Sequence, residues 1–323
     1  MFEGAKLAEI PATESFYDLS TAADRLIEEA SKSIVFVIDK LMFDACHATQ
    51  DVDLPTVADA CRALINEKYS EIISGEIKRA MEWLESEPAF AMAYKSLGYQ
   101  MVAAEYWAEP IRRELERWVP TLGYENHASA SYIAVKIARI PCHYLKYVSR
   151  IALASHRYIS GVGHRTVIEG PTTIRRLKAL IAEFEDVIST EWLPESLRRD
   201  LAYSIRTKSA LQCLEECNDI ASPASRRNDP DLPTRLFATD LLRVHQQTFN
   251  SFHKKTVFHL MGLSFVDRPL EMRTIERLAK SELEHHREIA AKRIADKRGL
   301  DFDHVLATLK ANKSFNFPRE NKA

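Results

Sequence analysis

The sequence predicts an all-α protein, a bundle-like assembly of about ten helices, and three observations predict it. Apolar residues recur at i, i+3, i+4 and i+7 along most of the chain. No stretch keeps the two-residue alternation of a half-buried strand, so no β-sheet is expected. Only 9 glycines and 13 prolines occur in 323 residues, too few for a turn-rich all-β chain.

The first helix is expected to open at Thr21, which forms a capping box with Asp24. Leu26, Ile27, Ala30, Ile34, Val37, Ile38, Leu41 and Ala45 carry it to about His47. Asp53-Leu54-Pro55 opens the second, where the missing N–H of Pro55 costs nothing. Its apolar series runs from Val57 through Cys61, Ile65, Ile72 and Ala80 to Leu84, with Gly75 placed to bend or split it. Glu87-Pro88 starts a third helix that continues to about Trp107. Pro110 restarts a shorter piece through Ile111, Leu115 and Trp118, and Pro120 to Tyr124 reads as a turn. Asn126 then caps a long helix from His127 to about Ser160, kinked at Pro141.

Gly161-Val162-Gly163 ends that helix. A loop leads to Gly170-Pro171, where the next helix begins and carries Ile174, Leu177, Leu180, Ile181, Phe184 and Ile188 on one side. Pro194 opens another, reaching about Ile220. Residues 221–233, ASPASRRNDPDLP, are rich in proline, serine and charge and read as a linker or surface loop. Two long helices follow, about Thr234 to Met261 and Pro269 to Arg298. The second ends with Lys297 and Arg298 before Gly299, as a helix C-terminus should. A short helix from Asp303 to Lys310 precedes a polar tail expected to be mobile. The expected organisation is a main helical domain over 1–220, the linker at 221–233, and a helical hairpin with short helix and tail over 234–323. The last part is able to pack with the first as one domain.

Charge is balanced overall, with 44 Lys and Arg against 46 Asp and Glu, a net of −2. That balance speaks against a protein basic throughout, but it hides an asymmetry. Residues 127–168 hold six Lys or Arg and no acid, so the rest of the chain carries −8 once these six are set aside. The five cysteines, Cys46, Cys61, Cys142, Cys213 and Cys217, are odd in number and form no C-x-x-C, which suits free thiols in a reducing compartment. No basic, apolar leader opens the sequence, and the densest apolar run, Ile34 to Ile38, is too short to span a bilayer. A cytoplasmic protein with no membrane partner is the expectation.

The acid-free stretch is the leading candidate site. On one continuous helix Lys136, Arg139, His143, Lys146, Arg150 and Arg157 fall within an arc of about 80°. Such an edge can contact phosphates or carboxylates, with Tyr132, Tyr144, Tyr147 and Tyr158 near enough to stack on a base. The competing explanation is a solvated face, or one answered by acids of neighbouring helices. Beyond it, His164 and Arg165 in the glycine-containing loop, with Arg175 and Arg176 just inside the helix expected at Pro171, place cations near a helix N-terminus. No nucleotide-binding fingerprint accompanies them.

Metal is the rival chemistry. Glu282 and His285 form E-x-x-H and Asp44 and His47 form D-x-x-H, the i, i+3 spacing by which helical bundles hold paired metal ions. Glu282 and His285 only partly share the inward face of their helix, however, and such pairs arise readily by chance. His245, His253 and His259 do not share one face, and no G-x-S-x-G or activated cysteine is evident. The sequence therefore points to a non-enzymatic binding or adaptor protein without cofactor, engaging nucleic acid or an acidic protein surface. A metal-dependent bundle enzyme, or a structural subunit oligomerising through 234–298, are the alternatives.

Overall fold

The computed structural model describes residues 10–47, 53–97, 107–118, 127–189, 192–204 and 230–311. Among them are thirteen helices and no strand, so the fold is all-α, with more and shorter helices than the sequence suggested. They are α1 (Thr13–His47), α2 (Leu54–Ile72), α3 (Gly75–Glu85), α4 (Pro88–Ser96), α5 (Ala108–Trp118), α6 (His127–Ala138) and α7 (Cys142–Ile159). The rest are α8 (Val162–Ser189), α9 (Glu195–Ser204), α10 (Leu232–Phe249), α11 (Lys254–Leu260), α12 (Met272–Arg298) and α13 (Phe302–Ala311). They cluster into two compact units: described residues up to His156 with Ala238–Lys280, and Arg157–Phe237 with Ser281–Ala311.

In the first unit α1 is the central element. Phe16, Leu19, Ala23, Leu26, Ala30, Ile34, Ile38 and Leu41 lie three or four residues apart and all are buried. α2, α3 and α6 pack on α1, α5 packs on α2 and α6, and α4 lies against α3 and α11. The helix begins eight residues before Thr21, because Phe16 and Leu19 extend its buried face. Thr21 lies inside it, with its hydroxyl donating to the Asp18 carbonyl rather than capping. At the start of α2, Asp53 does cap, accepting the backbone N–H of Thr56 at 3.3 Å.

The breaks between helices have local causes. Gly75 takes φ +51°, so the expected second helix becomes α2 and α3. The expected helix over 127–160 is also two. Pro141 has no N–H to give the Ile137 carbonyl, which instead accepts from Ile140 at 3.0 Å, and α7 restarts at Cys142. The expected helix from 234 to 261 is divided into α10 and α11 at Asn250 and His253, both in the left-handed region.

In the second unit the expected loop over 164–170 is helix. Gly161, at φ +68°, ends α7 and immediately starts α8, its carbonyl accepting Arg165 N–H at 3.0 Å. α8 then runs through Gly170-Pro171 without interruption. α9 packs beside α8, and the Tyr158 and Phe237 rings lie 5.0 Å apart. Ala291 and Ala295 of α12 and Val305 and Leu309 of α13 are buried. Gly299 at φ +63° closes α12 as its sequence signals, with Leu300 N–H on the Ala295 carbonyl at 3.1 Å. Residues 221–229 of the expected linker, the tail from 312, the stretch expected as a turn over 120–124 and the expected helical stretch 205–220 lie outside the described residues.

Candidate functional site

The cations of the expected basic edge and those expected beyond it are spread over three helices. Lys136 lies on α6, and Arg139 in the turn that follows it. His143, Lys146, Arg150 and Arg157 lie on α7, and His164, Arg165, Arg175 and Arg176 on α8. Because α6 and α7 are separate, the edge does not run along one continuous helix.

Within the first unit the edge is largely engaged. The Lys146 ammonium is 2.9 Å from the Asp24 carboxylate on α1. Arg150 donates to the Thr248 hydroxyl at 3.0 Å. Burial lowers its pKa, with Asp24 acting the other way. Lys136 sits 5.1 Å from the Tyr132 ring centre, a cation–π contact. His143 and Arg139 are exposed. The side chain of His127 lies outside the described residues.

Of the four tyrosines expected near the edge, Tyr147 is core, Tyr144 and Tyr158 are half-buried and Tyr132 is exposed. Tyr147 is fully buried against Phe90, Tyr94, Phe249 and His245. Its hydroxyl is 3.3 Å from Nε2 of His245, whose Nδ1 lies 2.7 Å from the Leu241 carbonyl. The Tyr144 hydroxyl donates to the Glu85 carboxylate. Burial pushes that carboxyl up, and the tyrosine's hydrogen bond acts against it. This polar–aromatic cluster is tied together atom by atom, which suits a satisfied core rather than a reacting centre. Cys61 and Cys142 are likewise buried, both thiols pushed up to about 12, so neither is a nucleophile.

The metal alternative gains nothing from the described residues, among which no three His, Cys, Asp or Glu side chains gather as a metal site. Glu282 is buried on α12, and the nearer histidine is His286, with Nε2 at 4.0 Å from its carboxylate. His285, the expected partner, is half-buried. The side chains of Asp44 and His47 lie outside the described residues. No helix among the described residues is long and apolar enough to cross a membrane.

The remaining cations gather on α8. At about 100° per residue, His164 and Arg175 fall about 20° apart and Arg165 and Arg176 about 20° apart, the two rows side by side on one face. Arg165, Arg175 and Arg176 are exposed, and among the described residues none has an acidic partner. Arg165 reaches the Ser160 carbonyl at 3.4 Å. Arg175 reaches the Pro171 carbonyl and the Thr172 hydroxyl, each at 3.3 Å. The Arg165 contact is at the helix start and those of Arg175 are within it, and all are to neutral oxygens that carry no charge to offset the guanidinium groups. The expected anion site at a helix N-terminus near Pro171 is absent, since Pro171 lies in the interior of α8.

No relative emerges. Family models, curated proteins and solved structures all give no match to this chain. The surface on α8 therefore has to be interpreted from its own chemistry. A row of guanidinium groups on an exposed helix suits phosphate or carboxylate oxygens, which arginine meets with paired donors.

Proposed function

We propose that this chain is a non-enzymatic helical binding protein that engages an anionic macromolecule through the arginine face of α8. The observation that carries this reading is the set Arg165, Arg175 and Arg176, exposed on one face and without acidic partners among the described residues. Eleven residues of helix place the ends of the row about 16 Å apart, a span that meets several phosphates along a nucleic-acid backbone. Arg139 on the first unit is exposed too, whereas Lys146 and Arg150 are held by Asp24 and Thr248. A nucleic acid or the acidic surface of a larger assembly both fit this chemistry.

Fluorescence anisotropy with a labelled single-stranded RNA, a duplex DNA and a polyglutamate peptide, each across a salt series, tests the reading. Binding to one of them should weaken steeply with salt, by close to one power of salt concentration per phosphate contact on duplex DNA. The triple substitution Arg165→Gln, Arg175→Gln, Arg176→Gln should lower affinity by at least about tenfold and flatten that slope. Unchanged binding by the triple variant, or no binding to any of the three probes, ends the proposal.

A further inference from the structure

Helix α8 contains 28 residues and none of them is buried, yet its sequence is strongly patterned. Ile174, Leu177, Ile181, Phe184 and Ile188 are spaced 3-4-3-4, the a and d positions of a heptad, and occupy an arc of about 80°. Leu177 is 43% exposed and Leu180 next to the seam is 49% exposed, and the other four seam residues are half-buried. The arginine face lies on the opposite side of the helix. Water is the right environment for that face and the wrong one for the seam.

We propose that the seam of α8 pairs antiparallel with the same seam of a second copy of this chain, about a twofold axis between residues 182 and 183. The flanking positions decide both partner and orientation. Reversing one helix of a coiled pair sets e positions against e and g against g. On α8 the e positions are Lys178 and Glu185, and the g positions are Leu180 and Val187. About that axis Lys178 of one protomer meets Glu185 of its partner, twice by symmetry, while Leu180 meets Val187 and Ile181 layers against Phe184.

Other arrangements lose this match. Moving the axis to Ala179 brings Lys178 against Lys178. A parallel pair sets Leu180 against Glu185 and Thr173 against Lys178, with no ion pair. Within the chain, Lys178 and Glu185 stand two helical turns apart. Among the described residues neither has an oppositely charged partner, so the antiparallel pair satisfies both in trans. The pairing does not rest on anion binding and leaves Arg165, Arg175 and Arg176 on the outer faces.

Sedimentation equilibrium of the full chain over a wide concentration range should show a monomer–dimer equilibrium. Leu177→Glu should abolish the dimer while leaving unchanged the Tm of the monomer, compared with wild type at concentrations below dimerisation. Lys178→Glu alone and Glu185→Lys alone should each weaken dimerisation by about tenfold, because each replaces two attractive contacts with two repulsive ones. The double variant Lys178→Glu, Glu185→Lys should restore it, with circular dichroism confirming that all variants fold. A chain that stays monomeric, a dimer indifferent to these changes, or charge reversals that the double variant does not rescue would each overturn the pairing. A monomer destabilised by Leu177→Glu would show the seam covered from within the chain, and would overturn it as well.

Discussion

Nε2 of His245 lies 3.3 Å from the hydroxyl of Tyr147, and together with the Leu241 carbonyl this contact fixes the state of the ring. A carbonyl only accepts, so Nδ1 at 2.7 Å from it carries the proton. Nε2 is then the acceptor, and Tyr147 donates. Burial lowers the histidine to about 4, so in the fold it is neutral at neutral pH. In the unfolded chain its pKa returns to about 6.5. Between those values the unfolded chain binds more protons, so stability falls as pH drops from about 6.5 towards 4.

At pH 5.5 the loss from His245 alone should be about 1.4 kcal/mol, with His156 and His253, also lowered by burial, adding in the same direction. Glu85 has the opposite sign, because its pKa is raised in the fold, but its effect lies nearer the carboxylate range. Urea midpoints at pH 7.5 and 5.5 measure the difference. His245→Gln should lose much of it, and a variant with the full wild-type pH dependence would exclude His245 as the source.

Replacing Tyr147 by phenylalanine keeps the ring stacked among Phe90, Tyr94 and Phe249 and removes only the donor to Nε2. A buried acceptor left without its partner costs about 1–3 kcal/mol. Tyr147→Phe should therefore lower the urea midpoint measurably. An unchanged midpoint would mean that the 3.3 Å contact contributes nothing.

Lys146 and Asp24 form an ion pair with both side chains more than a third exposed, so the pair is screened by water. Asp24→Asn should change stability by no more than about 1 kcal/mol. It also frees Lys146 and leaves Arg150 without its opposing charge. If the functional cations are those on α8, the affinity for an anionic probe should rise by less than about threefold, since the loss of one exposed charge is screened at physiological salt. A larger gain in the anisotropy assay would return the site to α7.

The helical class was readable because burial follows the 3.6-residue period so closely. The apolar series from Leu26 to Leu41 is the buried face of α1. Proline signals worked at Pro55 and Pro88, which stand in the first turns of α2 and α4. They misled at Pro171, where the preceding Gly170 has no Cβ to clash with the proline ring and the helix continues. A helix start placed at Pro171 turns the first third of α8 into a loop and hides the arginine face opposite the seam. The 3-4-3-4 row from Ile174 to Ile188 was visible as an apolar side, but nothing in a sequence says whether such a side is covered. The engagement of Lys146 and Arg150 was equally invisible, because Asp24 and Thr248 are about a hundred residues away in the chain.

Pro171 itself gives a further test. It occupies the tenth position of α8, where a proline withholds a hydrogen bond from the Val167 carbonyl and costs about 3 kcal/mol relative to alanine. Alanine also gives the unfolded chain more freedom, which takes back about 0.4–1 kcal/mol. Pro171→Ala should therefore raise the stability of the unit containing α8 by about 2 kcal/mol. Hydrogen exchange of amides flanking residue 171 reads this locally, and protection should increase on both sides of the substitution. If exchange around 171 is fast in the wild type and unchanged in the variant, α8 is not one continuous helix through Gly170-Pro171. The arginine row that depends on its helical phase would then fall with it.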